Sequence, residues 1–236
     1  NTPVIGSVVT FESGNVQYIS SCYDTSANKV VIAYQDAPDG EKGKAVVGTV
    51  ANGQITFGTP VIFDSSTVYY IDIAYDSNAS KVVIVYRDEG NGSSGTAIVG
   101  TVSGTSISFG SPSVYHSGNA NENAVVFDSS ANKVIIGNNR TGNQIQLSLG
   151  TISGTSISFG TSATISNAQE DAGSLTLSYD INANKTLIAY KGTSGYAECA
   201  VVSVSGTTVS VGTSVAATNY TINESSGVYD SAANKH

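Results

Sequence analysis

The sequence predicts an all-β protein: a β-propeller of ~50-residue, four-stranded antiparallel blades, with four full blades and part of a fifth. Three observations carry that expectation. The first is a repeat. Tyr23-Asp24-Thr25-Ser26-Ala27-Asn28-Lys29 returns as Tyr75 to Lys81, Phe127 to Lys133, Tyr179 to Lys185 and Tyr229 to Lys235, and its aspartates (24, 76, 128, 180, 230) are separated by 52, 52, 52 and 50 residues. The second is composition. Met and Trp are absent, while Gly, Ser, Thr, Val and Tyr are abundant, which suits strands and tight turns and leaves little helix to expect. The third is that each unit divides into four strand-like runs, named a to d here.

The second unit shows the runs most clearly. Run a is Tyr70 to Tyr75, alternating apolar with small or polar residues, and run b is Lys81 to Tyr86, with β-branched residues from Val82 to Val85. Runs c and d are Thr96 to Val102 and Ser106 to Tyr115. The Asp-x-x-x-Asn-Lys segment between a and b places Asx residues where they fold back on the backbone, so a hairpin is expected, with the aspartate side chains accepting backbone N–H groups. Ser103-Gly104-Thr105 between c and d recurs as Ser153 to Thr155 and Ser205 to Thr207, again short enough for antiparallel neighbours. Run b is apolar toward both sheet faces and needs a cover on each, which neighbouring blades provide. A β-solenoid or sandwich array would provide it too. The chain reads as one domain, with units at about 17–68, 69–120, 121–172 and 173–222 and a partial blade from 1–11 and 223–236. Thr2 to Phe11 supplies that blade's outer strand and Ser225 to Tyr229 its inner one, leaving b and c to absent residues or another molecule. Self-association through the incomplete blade is therefore an expectation.

Charge and cysteine content narrow the function classes. The net charge is −8 with 10 scattered Lys and Arg, so no basic stripe exists for nucleic acid or acidic membranes. No apolar run approaches the ~20 residues that span a bilayer. Cys22 and Cys199 are too few for a disulfide framework or a metal cluster and read as small buried side chains. The chain begins at Asn1 without Met, as a fragment or processed product would.

The motif Tyr-Asp-x-Ser-Ala-Asn-Lys-Val-Val-Ile-Ala-Tyr, followed by Gly-Thr-Val-Ser-Gly-Thr-Ser-Ile-Ser-Phe-Gly, resembles repeats of large extracellular or virion-associated proteins of marine bacteria and their phages, which look like β-propellers. The resemblance covers essentially the whole chain. It implies display and binding at a cell surface, outside the cell or on a virion, and brings no catalytic residue with it.

Comparing the units with one another singles out candidate positions. The a–b and c–d turns hardly change, whereas the b–c loops at the opposite end differ in every unit, the pattern of grafted recognition or of free drift. On that end lie Asp36, Asp39, Asp88 and Tyr196, and the most divergent group, Asn138, Asn139 and Arg140, where the first two units have Tyr34-Gln35-Asp36 and Tyr86-Arg87-Asp88. Amide and guanidinium groups side by side are suited to a sugar or a carboxylate. Calcium is conceivable at Asp36, Asp39 and Glu41, or at Asp88 and Glu89; in the a–b turns the motif lacks the Gly and closing Glu of a calcium loop. For catalysis, His116 and His236 are the only histidines, which leaves no Ser-His-Asp set. Inner-strand carboxylates such as Asp72 on run a are available to a glycosidase-like mechanism, and Asp72 otherwise lines a wet central channel. The leading expectation is a non-enzymatic adhesin-like or host-recognition module with a glycan or cell-surface ligand. A carbohydrate-active enzyme and a structural spacer are the alternatives.

Overall fold

The computed structural model describes residues 6–169, 175–223, 226–233 and 235. Among them there is no α-helix, only a single 3₁₀ turn at Glu89–Asn91. Unit 1 is built from β1 (Val16–Asp24), β2 (Lys29–Asp36), β3 (Lys42–Ala51) and β4 (Gln54–Phe57), followed by the long β5 (Val61–Asp76). Unit 2 adds β6 (Lys81–Asp88), β7 (Ser94–Ser103), β8 (Ser106–Phe109) and β9 (Ser113–His116). Unit 3 contains β10 (Asn121–Asp128), β11 (Lys133–Arg140), β12 (Gln144–Ser153), β13 (Ser156–Phe159) and β14 (Ala163–Ile165). Unit 4 contains β15 (Leu175–Asp180), β16 (Lys185–Lys191), β17 (Tyr196–Ser205), β18 (Thr208–Val211) and β19 (Val215–Thr221).

Every unit is an antiparallel meander, and the strands form three sheets, none closed. Two details differ from the sequence expectation. Run d is broken in two by a Gly-Ser/Thr step, so that β4 and the start of β5 pair successively with the two halves of β3, as β8 and β9 do with β7. Moreover, run d of unit 1 continues without interruption into run a of unit 2 as β5, which fuses their sheets. The expected boundary at 68/69 thus lies inside a strand. At the chain ends, residues 1–5 and 224–225 lie outside the described residues. The described part of the leading run, 6–11, forms no ladder, and near the other end only an Asp230–Lys235 bridge is made.

The turns follow from their residues. Asp24 Oδ1 accepts the N–H groups of Ser26 and Ala27 at 2.9 Å each. Asp76, Asp128, Asp180 and Asp230 make the same pair of bonds. The fifth residue of each turn, Asn28, Ser80, Asn132 or Asn184, is left-handed with φ between 53° and 56°, a conformation that Asn tolerates better than most side chains. In each turn one carboxylate oxygen is occupied by two backbone donors.

Strand b alternates strictly between two cores. Val82, Ile84 and Tyr86 join a cluster with Val31, Ala45, Val47 and Phe63 of unit 1, whereas Val83 and Val85 join Val125, Phe127, Val134 and Ile136 of unit 3. A third cluster packs Ile135, Leu147 and Ile165 of unit 3 against Leu177, Ile188 and Tyr190 of unit 4. Each core therefore lies between successive units, and a unit has no core of its own. The two cysteines are free. Cys22 packs at the edge of the first cluster, where burial, followed by the nearby Asp24 and Asp72, pushes its thiol up to about 12.

Two outcomes are expected here. Asp128→Ala orphans two turn donors and lowers unfolding free energy by about 1–2 kcal/mol, read by urea denaturation. In the native protein at pH 8, Cys22 resists iodoacetamide because the thiolate is scarce, and unfolding in urea exposes it to full alkylation, read by peptide mass spectrometry.

Candidate functional site

The end of the sheets that carries the b–c loops is distinguished by an irregularity in strand a. In units 1, 2 and 3 the register between a and b slips at the same place, between Gln17 and Ser20, between Tyr69 and Asp72, and between Asn121 and Ala124. The residues in the slip, Tyr18, Tyr70 and Glu122, lie 52 apart and are all left-handed, with φ of 50°, 52° and 51°. Bulky residues adopt that conformation at a cost of ~1–3 kcal/mol, and such bulges re-aim a side chain out of the pleat.

The re-aimed side chains form a continuous polar and aromatic rim. The Tyr18 ring meets those of Tyr69 and Tyr70 edge-on at 5.6 and 5.3 Å. The Arg87 guanidinium lies over the Tyr69 and Tyr70 rings at 5.7 and 5.9 Å, donates to Asn121 Oδ1 at 2.6 Å and pairs with Glu89 at 2.5 Å. Tyr69 donates to Glu41 Oε2 at 3.3 Å, and the Asn139 amide donates to Glu122. One surface therefore runs from unit 1 through unit 3.

The predicted residues fall as follows. Asp36 and Asp39 come together with two lysines: Lys44 reaches Asp36 at 2.6 Å and Asp39 at 2.8 Å, and Lys42 reaches Asp39 at 2.9 Å. Hydrogen bonds from Lys44 and Lys42 hold the Asp39 carboxyl down to about 2. A dication there has to displace two ammonium groups. Asp88 is buried beside the 3₁₀ turn, where desolvation and then the neighbouring Asp64 raise its carboxyl. Tyr196 begins β17 in unit 4, half-buried and opposite Thr221. Among the described residues no group of three His, Cys, Asp or Glu side chains converges as a metal site.

Asn138, Asn139 and Arg140 end β11. Asn138 and Arg140 share one face with Gln146 and Ser148, because β11 and β12 pair Asn138 with Gln146 and Arg140 with Gln144. Gln146 is saturated: its Oε1 accepts from Arg140 at 3.3 Å and contacts His116 Nδ1 at 3.0 Å, while its amide donates to Ser148 Oγ at 3.1 Å and the Tyr115 carbonyl at 3.4 Å. Burial, assisted by Arg140, holds His116 below the usual imidazole range. Asn138 and Asn139 are buried, and neither Oδ1 has a hydrogen-bond partner.

Asp72 lies at the inner side of the unit 2 slip and is turned to the neighbouring strands. Its carboxylate is desolvated and committed: Oδ1 accepts from Ser20 Oγ at 2.7 Å and from Ile73 N at 2.9 Å, and Oδ2 accepts from Val125 N at 2.8 Å. It fastens β1, β5 and β10 across edges that carry no ladder there, helped by Asn123, which donates to the Tyr70 carbonyl at 3.0 Å. These three donors engage both oxygens and leave one of the roughly four acceptor positions of a carboxylate.

Sequence reasoning missed Tyr18, Tyr69, Tyr70, Arg87, Asn121 and Glu122. The signal was present: the two residues at the slip in strand a change from Gln-Tyr to Tyr-Tyr to Asn-Glu at a fixed 52-residue spacing.

Comparison with known proteins bears on the fold. No family model and no curated protein matches the chain. Among solved structures, AofleA from Arthrobotrys oligospora is similar with a TM-score of 0.56 at 11% identity, over 86% of this chain and 58% of that one. The chain thus spans a little over half the length of that relative, and the likeness concerns backbone arrangement alone.

The Asp72 clamp is testable. Asp72→Ala leaves the Val125 donor unpaired on an inner edge and lowers unfolding free energy by about 2–3 kcal/mol. Burial raises the folded-state carboxyl above its unfolded value, so the wild-type contribution is complete at acid pH and declines as pH rises through the folded value. The stability gap between wild type and variant therefore narrows from acid toward neutral pH in urea titrations.

Proposed function

We propose that the four meanders are blades of a β-propeller and that the protein is a non-catalytic binding module recognising a glycan at the b–c end of its blades. The observation that carries this reading is the rim of Tyr18, Tyr69, Tyr70 and Arg87, raised by left-handed bulges at one recurring position. Tyrosine rings offer a flat apolar face for the C–H side of a sugar and a hydroxyl at their edge, and the neighbouring amides and carboxylates provide paired donors and acceptors. Backbone strain retained at three equivalent places is the kind of cost found where a side chain has to be aimed.

The propeller geometry is supported by the interfaces. Cores lie between successive units, and the a strands meet edge to edge through side chains such as Asp72 and Asn123, as inner strands round an axis do. The enzyme alternative loses its main residue, because the Asp72 oxygens are engaged in that bracing. A setting at a cell or virion surface, where a display module of this kind is used, follows from the same reading.

Binding to an immobilised glycan array tests it. Wild-type protein is expected to retain a defined subset of glycans, and Tyr18→Ala and Tyr70→Ala to weaken them roughly tenfold each, about 1.4 kcal/mol. An array with no retained glycan, or retention unchanged in both variants, contradicts the reading.

A further inference from the structure

The tyrosine rim already holds one cation, and that cation belongs to the chain. The Arg87 guanidinium lies 5.7 and 5.9 Å from the centres of the Tyr69 and Tyr70 rings, within the ~6 Å over which an aromatic face attracts positive charge. Its charge is committed. Nε pairs with Glu89 Oε1 at 2.5 Å, and Nη1 donates to Asn121 Oδ1 at 2.6 Å. Glu89 is fixed in turn by Ser93 Oγ, which donates to its Oε2 at 2.9 Å. A ligand therefore meets Arg87 as one half of a neutral pair.

Glu41 stands differently. It is half-buried and immediately precedes strand c of unit 1, and its backbone is left-handed with φ of 60°. Ser93 and Asn143, which precede strand c in units 2 and 3, share that conformation with φ of 59° each. The Glu41 carbonyl accepts from Val68 N at 3.0 Å, which ties it to the residue before Tyr69. The side chain is thereby set against the rim, and its Oε2 accepts from the Tyr69 hydroxyl at 3.3 Å. Burial, followed by the Glu41 charge, raises the Tyr69 phenol, so the ring stays neutral beside the carboxylate. Among the described residues Glu41 makes no ion pair, because Lys42 is held by Asp39 and Lys44 by Asp36 and Asp39.

Tyrosine faces and an uncompensated carboxylate make a field of one sign. An anionic sugar meets Glu41, Glu89 and Glu122 there, and the rim's arginine is already spent. A neutral hydroxyl gains a single hydrogen bond to Glu41. A protonated amine gains the hydrogen bond, the charge pairing and the attraction of the rings together.

We propose that the rim selects a glycan bearing a free, protonated amino group, an amino sugar whose ammonium pairs with Glu41 while its C–H face lies on the tyrosine rings. The assignment rests on the rim being a glycan site and adds the charge of the ligand.

The test is ligand-observed NMR with three oligomers, a glucosamine tetramer, an N-acetylglucosamine tetramer and tetragalacturonate, at about pH 5.5 and low salt, where surface charge is least screened. Wild-type protein is expected to bind the glucosamine tetramer roughly tenfold tighter than its N-acetylated form and to leave galacturonate unbound, with the preference shrinking at about 0.5 M NaCl. Glu41→Gln, which keeps the shape and removes the charge, is expected to bring the preference down to about twofold or less. Tyr18→Ala is expected to remove binding of both tetramers. Equal binding of the two tetramers by wild type, tighter binding of galacturonate, or binding of none of the three overturns the amine assignment, and this comparison needs no variant to fold. So does a preference that persists in Glu41→Gln, or one that persists in Tyr18→Ala, since that is attraction to the acidic chain as a whole. In each of those cases, array retention of other glycans that is lost in Tyr18→Ala leaves the rim reading standing, whereas an array with no retention removes both.

Discussion

The structure depends on how closely one sheet can approach the next. At the break in run d, a Cβ added to Gly58 would meet the carbonyl of Thr105 in the following unit, and one added to Gly110 would meet Thr155, both well inside 3.0 Å. Gly6 stands in the same relation to Gly53 of unit 1. The glycine lets the run-d backbone lie against the next unit's c–d turn, and the aromatic residue five positions on, Phe11, Phe63 or Tyr115, then reaches the next unit's core. With no core inside a unit, this contact is where apolar burial is gained, and the stability of the array is the sum of its interfaces.

A second layer of contacts holds the same faces in register. Near the a–b turns, Tyr75 OH accepts from Ser26 N at 3.3 Å and Tyr179 OH from Ser130 N at 3.2 Å, and Tyr229 OH accepts from Asn182 Nδ2 at 2.6 Å. Phe127 has no hydroxyl to do this between units 2 and 3, and there Asp72 and Asn123 brace β5 against β10 instead. At the outer faces the same positions lie open: Ile71 is 6% exposed inside the array and its equivalent Ile19 is 54% exposed. The leading segment already rests on unit 1 through Phe11, and the trailing one on unit 4 through Tyr229, as pieces of neighbouring units would.

Much of this was legible in the sequence because repetition turns one chain into several observations. The Asp-x-x-x-Asn turn and the two-sided apolar strand b each name a local geometry that the structure reproduces. The candidate site was half legible. Asn138 to Arg140 stood out as a departure from the repeat, and the unpaired oxygens of Asn138 and Asn139 are a property of three-dimensional packing that no residue list contains. Asp36 and Asp39 looked like free acids because their partner Lys44 sits on the adjacent strand, a pairing set by register. Asp72 was misleading for a similar reason: its donors, Ser20 and Val125, are each more than 50 residues away in sequence. The tyrosine rim escaped notice because a left-handed bulge is invisible in an alternating pattern until the strand is seen to slip.

The central claim is that stability resides in the approach between successive sheets, and a matched pair of substitutions measures it. Gly110→Ala places a methyl group against the Thr155 carbonyl, whereas Gly212→Ala, at the equivalent place in unit 4, meets nothing closer than the Val201 carbonyl at 3.5 Å. Both are compared with wild type by urea denaturation at one pH. The account predicts a loss of about 3 kcal/mol or more for Gly110→Ala and a change within about 0.5 kcal/mol for Gly212→Ala. Equal effects at the two positions would contradict it.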